Sequence, residues 1–338
     1  ANLAADPENE GLMSQLSSRL DGGRGWQAVA ADLPVAKAPT ETTVFEKGDG
    51  SRSKFGYRIP AVTVSKKGTV LAFCERRVGL DDHAKNDIVL KRSENGGVTW
   101  GDLIVLADDG NDSLNDPLVV ALDSGRLLLR YKRYPEGIHS RNSDHTVIAE
   151  PGFDGPKNTQ VYLTQSDDDG QTWSKPREVT REMRRPEAIA VGSPGVAIQL
   201  AGGPHKGRIV LPNYEVYSLG GGNRKSANSV SYSDDEGETW KLSEPISEGN
   251  LPGFGNEAQL VELADSGILM SARSHELGGF RRISISRDGG ATWSSHRFND
   301  NLRTPACMSS IIRYSWPNGN EPGLILHSLP ATKNQRAN

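Results

Sequence analysis

The sequence is poor in cysteine: its 338 residues contain only Cys74 and Cys307. Two thiols cannot build a disulfide framework. Each sits in or just after an apolar run, the setting of a buried free thiol. Long hydrophobic runs are missing as well. No stretch approaches the roughly 20 apolar residues of a membrane-spanning helix, and no leader pattern opens the chain. The first residue is Ala1 rather than Met, so the expectation is a processed or trimmed N-terminus with an export signal removed, and a secreted, periplasmic or extracellular protein. Neither charge is in large excess, since 39 Lys and Arg face 43 Asp and Glu for a net charge of −4. That balance gives no reason to expect nucleic acid or an anionic membrane as partner. No His/Cys cluster has metal-ligand spacing, so no metal or other cofactor is expected.

What the chain has instead is punctuation. Thirty-seven Gly and 19 Pro suit many tight turns. Residues 1–42 are polar and Ala-rich, with a weak helical stretch around Met13–Leu20, and read as an N-terminal extension. From Thr43 onward short apolar runs of strand length follow one another, among them TVLAF (69–73), DIVLK (87–91), RLLLRY (126–131), VYLTQ (161–165) and GVAIQL (195–200). RIVLPNY (208–214), SVSYS (229–233), QLVEL (259–263), ILMSA (268–272), ISIS (283–286) and LILHS (324–328) continue the series. No long stretch keeps a 3.6-residue period, so residues 43–338 read as an all-β domain.

One turn occurs four times: SENGGVTW (93–100), SDDDGQTW (166–173), SDDEGETW (233–240) and SRDGGATW (286–293). Its pattern is Ser-x-(Asp/Asn)-x-Gly-x-Thr-Trp. The Asp or Asn can accept hydrogen bonds from its own turn, and the Gly supplies a positive φ. The Trp folds back as an apolar plug. Four of the six tryptophans end such a turn, so tryptophan here is mostly architectural. The starts at 93, 166, 233 and 286 leave intervals of 73, 67 and 53 residues. A four-stranded propeller blade needs about 40–50 residues, so each interval reads as one blade plus insertions. This turn resembles the Asp-box of sialidases and related β-propellers, and the expected fold is a six-bladed β-propeller of four-stranded blades.

Five further stretches resemble the framework of the exo-α-sialidases (neuraminidases), in order and interleaved with the boxes. YRIP (57–60), read as lying just before the first regular strands, is similar to the segment carrying the family's first carboxylate-binding arginine, Arg58. FCERR (73–77) with LDDHA (80–84) resembles the segment with Arg77 and the acid/base Asp. RIVLPNY, after PGVAIQL (194–200), is similar to the strand pair leading to a pocket tyrosine, Tyr214, with a buried core tyrosine as the competing reading. GNEAQLVEL (255–263) resembles the Glu segment and ILMSARS (268–274) the strand of the second arginine, Arg273. Arg336, in TKNQRAN, is the third arginine the resemblance implies.

The resemblance also implies a chemistry. Sialic acid carries a carboxylate on its anomeric carbon, so the enzyme must hold an anion beside a carbon that becomes cationic. Arginine's planar fork binds carboxylate bidentately and never deprotonates. An attacking carboxylate would be repelled by the substrate's own charge, and sialidases use a Tyr nucleophile instead. By resemblance, Glu257 deprotonates that Tyr. Counting from Arg77, or back from the IVL strand (88–90), selects Asp82 as the acid/base, and a shift by one selects Asp81. His83 reads as a loop neighbour.

The implied partners are sialylated glycans, and the implied reaction is retaining hydrolysis of terminal sialic acid. The family's tyrosine lies after its third arginine, whereas here two residues follow Arg336. The expectation is therefore a truncated last blade, with little or no turnover from residues 1–338 alone. The alternative is a non-catalytic propeller that binds sialylated or acidic glycans. A purely structural propeller leaves YRIP and GNEAQ unexplained.

Overall fold

The computed structural model describes residues 41–47, 55–79, 81–82, 84–140, 148–221, 223–275 and 279–330. The N-terminal stretch 1–40, His83 and Arg336 lie outside the described residues.

Four antiparallel units of four strands follow one another. The first is β1 (Phe55–Val64), β2 (Val70–Val78), β3 (Asn86–Ser93) and β4 (Ile104–Ala107). The second is β5 (Ser113–Ala121), β6 (Leu127–Tyr134), β7 (Gln160–Ser166) and β8 (Arg177–Glu178), joined to the first by one bridge between Asn86 and Ser113. A single-turn helix, Thr180–Met183, leads to the third unit, whose innermost strand is broken into β9 (Ala190–Gly192), β10 (Gly195–Val196) and β11 (Ile198–Gln199). β9 and β11 pair with β12 (Ile209–Gly220), while β10 crosses to pair in parallel with β5. Pro194 lies at the break, where its missing N–H removes a ladder bond. The unit continues with β13 (Asn223–Ser233) and β14 (Lys241–Leu242). The fourth unit is β15 (Phe254–Glu262), β16 (Ile268–His275), β17 (Gly279–Ser286) and β18 (Arg297–Thr304). A two-stranded pair, β19 (Ser310–Ser315) and β20 (Leu324–Ser328), comes last.

The core lies between units rather than within one. Ala61, Leu71, Phe73, Ile88 and Leu90 of the first unit meet Leu114, Val119, Leu127 and Leu129 of the second. Comparable layers join the second to the third, the third to the fourth, and the fourth to β19–β20. Sheets stacked face to face with their first strands adjacent make a propeller-like fold.

The four repeated turns each connect the third strand of a unit to its fourth. In each, the Gly N–H donates to the opening Ser Oγ at 2.8–2.9 Å, and the Thr N–H donates to the Asp or Asn side chain at 2.9 Å. That Gly is left-handed in every copy, with φ between +78° and +94° at Gly97, Gly170, Gly237 and Gly290. Trp173, Trp240 and Trp293 each donate from Nε1 to the carbonyl of that Gly at 3.0–3.3 Å. Trp240 is the most enclosed, packed among Leu128, Leu163 and Leu211. Trp240→Ala should therefore destabilise the chain by roughly 3–5 kcal/mol through a core cavity while leaving ligand affinity unchanged. Thermal melts alongside ligand titration check this, and normal stability with lost binding would place the turn in the site.

Candidate active site

The inner strands of three units carry a bulge at corresponding places: between Arg58 and Ala61 on β1, Asn115 and Leu118 on β5, and Gly255 and Ala258 on β15. Bulges re-aim side chains and often border functional sites. In the first two the bulge holds a residue in the left-handed region followed by proline: Ile59 then Pro60, and Asp116 then Pro117, both with φ +58°. A β-branched Ile there is strained by about 1–3 kcal/mol. YRIP thus lies inside the first strand rather than before it, and the irregularity that hid the strand is what turns Arg58.

Arg58 donates from Nη1 to Asp82 Oδ1 at 3.2 Å, and Arg77 Nη1 donates to the same oxygen. Consecutive strand residues face opposite ways, so Arg76 points elsewhere, donating to Asp87 at 2.9 Å over the Phe55 ring. Arg77 is buried and Asp82 exposed, with side chains 2% and 57% accessible. Both arginines reach Asp82. In the fourth unit Arg273 Nη1 donates to Glu257 Oε2 at 2.8 Å, and both side chains are largely enclosed. Arg273 Nε has no acceptor among the described residues.

Tyr214 sits between these clusters. Its hydroxyl donates to Asp116 Oδ2 at 2.7 Å and accepts from Lys132 Nζ at 2.7 Å, while Lys132 also donates to Asp116 at 2.7 Å. Burial pushes the Tyr214 phenol well above its ordinary pKa, and Asp116 adds to this, with a smaller contribution from Glu257. Burial works against the Lys132 charge, but Asp116, Tyr134 and Tyr214 together outweigh it and the ammonium pKa rises well above normal. Gly192 leaves room for this cluster, since a Cβ there would stand 2.3 Å from Asp116 Oδ2 and 3.0 Å from Lys132 Nζ.

Two further buried guanidiniums stand close by. Arg130 donates to Asn213 Oδ1 and to the carbonyls of Ser193 and Pro212. Arg281 donates to Ser271 and to the Cys307 carbonyl. Burial lowers both to about 10, so both stay charged at neutral pH. The structure therefore brings together Arg58, Arg77 and Asp82 on one side, and Glu257 and Arg273 on another, with Tyr214 near Glu257. Asp116, Lys132, Arg130 and the buried Glu75 belong to the same region and escaped the sequence reading. The one local signal for Asp116 was Asn115-Asp116-Pro117 interrupting an apolar run, as Arg58-Ile59-Pro60 does.

The family model described as the BNR repeat-like domain matches residues 62–336. The sialidase of Micromonospora viridifaciens is 30% identical over 297 residues, covering 85% of this chain and 43% of that protein. The chain belongs to the exo-α-sialidase family. The sialidase of Paraclostridium sordellii is 28% identical over 307 residues, covering 88% of this chain and 72% of that protein. Among solved structures, the Hadza microbial sialidase Hz136 aligns with a TM-score of 0.74 at 26% identity, over 93% of this chain and 60% of that one. The intramolecular trans-sialidase of Ruminococcus gnavus, solved with oseltamivir carboxylate, shares the fold with a TM-score of 0.67 at 22% identity, over 83% of this chain and 78% of that one. This exo-α-sialidase family member thus spans less than half of its Micromonospora relative and about three fifths of Hz136.

Proposed function

We propose that this chain carries the sugar-binding and acid/base machinery of a retaining exo-α-sialidase acting on sialylated glycans. The observation that carries this reading is the pairing of each candidate carboxylate with an arginine: Asp82 with Arg58 and Arg77, Glu257 with Arg273. Arg58 and Arg273 would grip the substrate carboxylate, with Arg336 as the third donor of the clamp. Asp82 would give its proton to the leaving-group oxygen as the glycosidic bond breaks. It would then take a proton from the water that attacks the intermediate. Glu257 would accept the proton of a tyrosine whose oxygen attacks the anomeric carbon. Tyr214 does not suit that role, because its hydroxyl proton is given to Asp116 while Glu257 is engaged by Arg273. It lines the sugar site instead.

Six blades is the count we favour. Alternation along β1 leaves Val62 and Val64 exposed on the face away from the second unit, and Ile312, Tyr314 and Leu326 are exposed on β19–β20. Apolar faces of this kind are what a neighbouring blade covers.

The test is proton NMR of sialic acid released from sialyllactose by a protein that joins this chain to the nucleophilic tyrosine. The first anomer to appear should be α, the retained one. Release of β first would reject a covalent intermediate, and binding of the sugar without release would favour the non-catalytic propeller.

A further inference from the structure

Glu75 lies on β2 opposite Arg58 in the strand register and is fully buried. Three N–H donors converge on its two oxygens. Arg77 gives Nε at 2.7 Å and Nη2 at 2.5 Å to Oε2, and the main-chain N–H of Asp116 gives a 2.8 Å bond to Oε1. Arg77 extends the chain of contacts to Asp82 through Nη1. Asp116 extends it the other way, through a carboxylate that holds Lys132 and Tyr214. The Asp82 carbonyl is held in turn by Asn86 Nδ2 and Ser113 Oγ, each at 3.4 Å.

We propose that Glu75 is a positioning residue for this site. It fixes Arg77 and the Asp116 bulge in one register, so that Asp82 on the first unit and the Asp116–Lys132–Tyr214 cluster on the second face the same ligand. Only an ionised carboxylate accepts on both oxygens. A glutamine would turn its NH₂ against either the Arg77 fork or the Asp116 N–H. A leucine would leave Arg77 a buried cation lacking its strongest partner. Burial raises the Glu75 pKa to about 7, Arg77 working against that rise. The ionisation that Glu75 keeps near neutral pH is therefore supplied by its donors and not by solvent.

The consequence for catalysis rests on Asp82 being the acid/base of a sialidase; the positional role does not. The test therefore has two arms, both on the full chain carrying Glu75→Gln. In hydrogen exchange, peptides covering 78–86 and 113–118 should exchange about tenfold faster than in the wild type, with β12 to β18 unchanged. In turnover, the loss on sialyllactose should exceed the loss on an aryl sialoside by about tenfold, because only the former needs the Asp82 proton. Unchanged exchange at both peptides, or faster exchange throughout, would overturn the proposal. Should Glu75→Gln fail to fold, Arg77→Lys breaks the same link and must give the same local exchange pattern. A wild type that exchanges as expected yet turns over neither substrate would count against the sialidase reading and leave the positioning decided by the first arm.

Discussion

Arg273→Lys should weaken binding of 2-deoxy-2,3-didehydro-N-acetylneuraminic acid, a flattened sialic-acid analogue, by about 1.5–3 kcal/mol while the chain stays folded. Lysine keeps the positive charge and can still meet Glu257, which Arg273 now reaches at 2.8 Å, so the local ion pair need not fail. What it loses is the fork. One ammonium cannot serve Glu257 and both oxygens of a ligand carboxylate in fixed directions. The loss corresponds to roughly 10- to 150-fold in dissociation constant. Titration calorimetry beside a thermal melt measures both quantities, and unchanged affinity in a folded variant rejects Arg273 as a clamp residue.

Asp82→Ala should have the larger effect on rate. Hydrolysis of sialyllactose, whose departing alkoxide needs a proton, should fall by about 10²- to 10⁴-fold. An aryl sialoside such as the 4-methylumbelliferyl compound leaves as a stable phenolate and should lose far less. The structure adds a second expectation. Asp82 holds Arg58 and Arg77, so a substrate carboxylate must share or displace it at Arg58. Removing Asp82 should therefore not weaken binding of the analogue. Equal rate losses on the two substrates would point to Asp81 or to a structural role.

The strongest sequence signals were those whose chemistry is local. The four turns close on themselves, each Asp or Asn bonding the Thr four residues on, so eight residues contain the whole explanation. Alternating apolar strands such as Leu127–Tyr134 were legible for the same reason. Two inner strands were not, because each is interrupted where it serves the site, β1 at Ile59-Pro60 and β5 at Asp116-Pro117, and the third unit's inner strand was legible only as GVAIQL, beyond its break at Ser193-Pro194. Side-chain pairings were harder still. Tyr214 and Asp116 are 98 residues apart and Lys132 and Tyr214 are 82 apart. Such partners meet only through blade stacking, and nothing in either strand announces the other. Arg58, Arg273 and Glu257 were singled out because their flanking residues resemble a known framework, not because spacing placed them.

The central claim is that the middle of this fold is an anion clamp built for the carboxylate of a sugar. Calorimetric titration of the chain with 2-deoxy-2,3-didehydro-N-acetylneuraminic acid and, separately, with its methyl ester tests it most directly. The ester keeps the ring and its substituents but removes the charge. The account predicts that the acid binds at least about tenfold more tightly, since charge-assisted bonds to arginine contribute roughly 1.5–3 kcal/mol. Equal affinity for acid and ester would contradict it.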